Sequence, residues 1–144
     1  MINTLADWII TKLDAISDLT GSVYKYRVTN PDGTAGVAYP NATVLWGGTP
    51  EAEYVSLKKT WRTYRFLVRL NYEVGSELRE LDGVEEIMYD LADDVLDTFE
   101  TKRGAEANAI LLDGSIGATD WLDGSEQIRY CEITLDFKVL RDAS

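Results

Sequence analysis

The stretch Trp61-Arg62-Thr63-Tyr64-Arg65-Phe66-Leu67-Val68-Arg69-Leu70-Asn71-Tyr72-Glu73-Val74 decides the fold. Its even positions Phe66, Val68, Leu70, Tyr72 and Val74 are apolar, whereas Arg65, Arg69, Asn71 and Glu73 hold odd ones, with Leu67 as the exception. Successive side chains of a strand point to opposite faces, so this alternation predicts a long strand with one buried face. Near the C-terminus Cys131, Ile133, Leu135, Phe137 and Val139 alternate with Glu132, Thr134, Asp136 and Lys138, which predicts a second strand of the same kind.

Gly75-Ser76 ends the first of these strands. Beyond it Leu78, Leu81, Val84, Ile87, Met88, Leu91, Val95, Leu96 and Phe99 fall on one helical stripe that finishes around Lys102-Arg103-Gly104. Two starts suit this helix: Ser76 as a cap before Glu77, or Asp82 with Glu85 three residues on as a capping box. At the N-terminus Leu5, Trp8, Ile9, Leu13, Ile16 and Leu19 recur at steps of three and four, an amphipathic helix ending near Gly21.

The remaining segments read as strands and turns. Val23 to Thr29 is a strand stopped by the turn Asn30-Pro31-Asp32-Gly33, with a loop to Pro40. Ala42 to Trp46 is a second short strand, broken by Gly47-Gly48-Thr49-Pro50, and Glu53 to Leu57 a further extended piece. Leu112-Asp113-Gly114-Ser115 and Leu122-Asp123-Gly124-Ser125 each present an Asp-Gly turn of the hairpin type. The order of elements predicts an α+β domain, a largely antiparallel sheet covered on one side by two amphipathic helices.

A chain of 144 residues with 45% hydrophobic content suits one domain spanning 1–144. Its 14 basic and 25 acidic residues leave a formal charge of −11. With no histidine, every Ser-His-Asp or Cys-His arrangement is excluded, and with it the near-neutral proton shuttle. Cys131 is the single cysteine, so intrachain disulfides and thiolate zinc sites are excluded too. It falls on the inward face of the closing strand, where a thiol behaves as a small hydrophobe. Asp7, Lys12 and Asp14 interrupt the apolar residues at the N-terminus, which argues against a secretory signal and for synthesis in the cytosol. Apolar runs such as Ala109 to Leu112 are far shorter than the roughly 20 residues that span a bilayer, so no membrane is expected.

Asp90, Asp93, Asp94 and Asp97 stand three and four apart, yet they lack the converging ligands or glycine-bearing loop of a cation cage and read as a solvated helix face. Asp113 and Asp123 belong to Asp-Gly turns, which accounts for them without glycosidase chemistry. No phosphate-cradling glycine motif occurs. These readings together predict no enzyme activity, no metal and no cofactor. The charges are segregated, however. Lys58, Lys59, Arg62, Arg65 and Arg69 form a stretch without an acid, whereas Glu77 to Glu100 holds ten acids and one base. They are two solvated faces, paired weakly within the monomer, or unlike patches that meet between neighbouring subunits. Direct nucleic-acid binding is opposed by the net charge.

The strand Tyr64 to Leu70, the acidic helix Glu85 to Asp97 and the closing Tyr130 to Val139 resemble the tail terminator proteins of long-tailed bacteriophages. The resemblance extends to the order of elements, including the N-terminal helix. It implies a structural virion protein of the tail-neck region, made in the host cytoplasm. Such a subunit forms a homohexameric ring on the completed tail tube, stops tube polymerisation and provides the docking surface for the head connector or adaptor protein. DNA would pass through the lumen without specific binding, and an acidic lumen suits that passage because it repels phosphates. Arg65 and Arg69 from the strand, with Asp90, Asp93 and Asp97 from the helix, are the candidate ring contacts. The loops containing Tyr39 and Trp46 are the candidates for contact with tube or connector. Other readings are a different head–tail adaptor or joining protein and a small soluble binding domain.

Overall fold

A computed structural model describes residues 1–26, 39–48, 52–54, 59–74, 81–100, 109–122 and 128–142, with backbone alone at 52–54, 59–60, 81–82, 112 and 140–142. Within them the chain runs α1 (Ile2–Asp14), a 3-10 turn (Ser17–Leu19), β1 (Val23–Lys25), β2 (Asn41–Gly48), β3 (Ala52–Tyr54), β4 (Lys59–Glu73), α2 (Leu81–Glu100), β5 (Ile110–Ile116), β6 (Asp120–Trp121) and β7 (Ile128–Asp142). The protein is an α+β domain: the strands form one seven-stranded sheet in the order β1-β2-β4-β7-β5, with β3 beside β4 and β6 beside β7. Among the described residues only the β1–β2 pair is parallel.

The two strands that alternate in the sequence are the centre of the sheet. β4 and β7, each 15 residues long, pair antiparallel over their whole length, from Lys59 opposite Asp142 to Glu73 opposite Ile128. Tyr64, Phe66, Val68 and Leu70 of β4 and Cys131, Ile133, Leu135, Phe137 and Val139 of β7 are buried, on the same side as the buried stripes of both helices. Trp8 of α1, Phe99 of α2 and Phe137 of β7 meet edge to face, with ring centroids 5.3 to 5.7 Å apart. Aromatic rings prefer this geometry because a positive edge meets a negative face, so the triad locks both helices to the sheet. At the far edge α2 crosses β5 over Gly114, where an added Cβ would run into the Leu96 side chain.

Several local expectations are corrected. Helix α1 stops at Asp14, not near Gly21, although Leu19 is still buried. Asp14 ends it: its carboxylate accepts the Gly21 N–H at 2.7 Å and its carbonyl accepts the Thr20 hydroxyl at 2.9 Å. These bonds fold the chain back through Gly21, whose φ of +78° suits glycine. Asp113-Gly114 is no turn but part of β5, where a bulge after Leu111 absorbs one residue. The second Asp-Gly pair falls in 123–127, outside the described residues, although Leu122 N–H bonds Ile128 O and Trp121 pairs with Arg129, as across a hairpin. Residues 27–29, 30–38, 55–57 and 75–80, with their expected strand ends, loop and helix cap, also lie outside the description. Helix α2 is described from Leu81, and Glu85, expected in a capping box, bonds Thr119 and Arg129 instead. Ile87, counted on the buried stripe, is 46% exposed.

Candidate functional site

The sheet has a second face on which no helix packs among the described residues, and its side chains line up in rows. Leu45 of β2 stands opposite Leu67 of β4, which stands opposite Thr134 of β7. One row away, Thr43, Arg69 and Glu132 are aligned; on the other side lie Arg65, Asp136 and Asp113. Each arginine has a carboxylate directly across the strand boundary. Arg65 donates through Nε and Nη2 to the two oxygens of Asp136 at 2.9 and 3.0 Å, a two-pronged pair. Arg69 donates through Nη2 to Glu132 at 2.8 Å and lies over the Tyr130 ring at 4.8 Å. The Arg65 proton is held more firmly than in a free guanidinium, first through the hydrogen bond to Asp136 and then through its charge.

Local sequence explains why Arg65 can lie flat. A Cβ at Gly47 would come within 2.6 Å of the Arg65 Cγ, so a glycine in the neighbouring strand makes room for the side-chain stem. Beyond the arginines, Asn71 donates to Asn41 at 2.8 Å, and Lys138 lies 5.1 Å over the Trp61 ring. Leu45 and Leu67 are half-buried in the middle of this polar surround.

The candidate acids are elsewhere. Asp90, Asp93 and Asp97 are exposed on α2, which covers the opposite side of the sheet. The structure therefore does not bring the two candidate groups together within one chain. Arg65 and Arg69 are neutralised by β7, a partner that charge counting along the sequence did not single out. Helix α2 holds eight acids and no base over Leu81–Glu100.

Tyr39 and Trp46 differ in setting. Trp46 is in β2 and not in a loop, with its ring 5.2 Å from Phe66 and 5.9 Å from Tyr64, so it extends the core. Tyr39 is half-buried just before β2, and its hydroxyl is pushed above the ordinary tyrosine range, first by burial and then by Glu73 and Tyr24.

Sequence reasoning missed a polar cluster under the first half of α2. Arg129 is 9% exposed; its Nη2 donates to Glu85 and to the Thr119 hydroxyl, both at 2.7 Å, and its guanidinium lies 4.8 Å over the Trp121 ring. Thr119 in turn donates its hydroxyl to Glu85 and its backbone N–H to the Tyr89 hydroxyl. This cluster pins α2 to the β6–β7 end of the sheet. The available signal was parity, since Arg129 continues the inward-facing odd positions of β7.

The Cys131 thiol is buried, donates to Gly117 O at 3.2 Å and is pushed up to about 11, by burial first and Glu132 second. A thiol so held is not a nucleophile at neutral pH. Among the described residues no group of three or more His, Cys, Asp or Glu is placed to hold a metal ion, and no helix is long and apolar enough to cross a membrane.

No protein-family model matches the chain, and no curated protein is significantly similar to it. One solved structure similar to it is 16% identical, covers 95% of this chain and 88% of its own length, and superposes with a TM-score of 0.48. A likeness of that degree carries no argument about function.

Proposed function

We propose that the chain is a structural subunit that assembles with copies of itself into a closed ring, acting as a tail terminator of a long-tailed bacteriophage. The ring caps the tail tube, ends its polymerisation and offers the head connector a docking surface, while DNA passes through the lumen without specific binding. One observation carries this reading: the domain presents unlike surfaces on opposite sides, an arginine-bearing sheet face and an acidic helix. A single copy cannot bring the two surfaces together, because they lie on opposite sides of its sheet, whereas a neighbouring copy can. Contacts between unlike patches repeat from subunit to subunit and close when the rotation between copies divides a full turn. No reaction is required of any residue.

The test is native mass spectrometry of the purified chain followed by electron microscopy of the assemblies. Six-fold rings with a central hole are the expected result. A chain that stays monomeric at high concentration, and gains thermal stability only on adding a ligand, would overturn the reading in favour of a binding domain.

A further inference from the structure

We draw no further inference here: the strongest candidate, the outward surface patch of α2 where Ile87 and Tyr89 stand exposed beside Glu86, Asp90 and Asp93, is an acidic cluster with two apolar side chains, and nothing in the structure shows what covers it.

Discussion

The two faces of this sheet are made by the same two strands and reach satisfaction by different means. On the helix side, the even positions of β4 and the odd positions of β7 disappear under α1 and α2, and the Trp8–Phe99–Phe137 triad closes the layer. On the open side, cross-strand register sets Arg65 against Asp136 and Arg69 against Glu132, so the polar face neutralises itself. Directly opposed side chains in an antiparallel pair are within reach of each other, and opposite charges there are favourable. The difference teaches that alternation identifies the buried face, whereas the state of the other face depends on what register brings opposite each polar residue.

The contrast predicts an ordered series of effects. Phe137→Ala removes two ring contacts from a fully buried site and should cost about 3–5 kcal/mol, read by urea unfolding. A smaller loss than that of any open-face change would break the comparison. Next is an alkaline effect from Cys131. The unfolded chain releases the thiol proton near 9, while the folded chain holds it up to about 11. Between those values the unfolded state binds fewer protons, so stability should fall as pH rises, and below pH 9 this contribution is level. The loss, on the order of 2 kcal/mol, is read as the difference between the natural chain and Cys131→Ala. A parallel pH dependence in the two proteins would contradict the burial of the thiol.

On the open side, Asp136→Asn keeps the shape of the carboxylate and removes its charge opposite Arg65. It should destabilise the fold less than either core change, because Arg65 remains in contact with water and recovers part of its hydration. Thermal unfolding monitored by circular dichroism ranks the three. Smallest is Lys25→Ala, which breaks the pair with Asp7 at the exposed rim of α1 and β1. The expected result is no resolvable change in midpoint at physiological salt, and a clear loss would mean that surface ion pairs in this chain matter more than the core-to-surface contrast allows.

Much of the fold is legible along the chain. The alternation of β4 and β7 and the stripe of α2 mark long elements whose periodicity averages over many residues. The short signals misled where a tertiary neighbour had another use for the same residues. Asp113-Gly114 reads as a turn, but α2 must cross β5, and a glycine beneath Leu96 lets it pass. Glu85 reads as half of a capping box, but the partly buried Arg129 and Thr119 claim its carboxylate. The candidate arginines were visible as a charge run; their partners, 63 to 71 residues away in sequence, were not.

By itself the sequence determined the kind of domain, because hydrophobic periodicity says which residues must leave water and therefore which elements form a sheet and which cover it. It also determined what chemistry is unavailable to a chain with no histidine and one cysteine. Only the tertiary structure decided which charges cancel, which apolar residues stay outside, and that the acidic helix and the arginine-bearing face lie on opposite sides of the sheet. Those outcomes follow from register and layer order, which bring together residues far apart in the chain, and no local pattern encodes such distances.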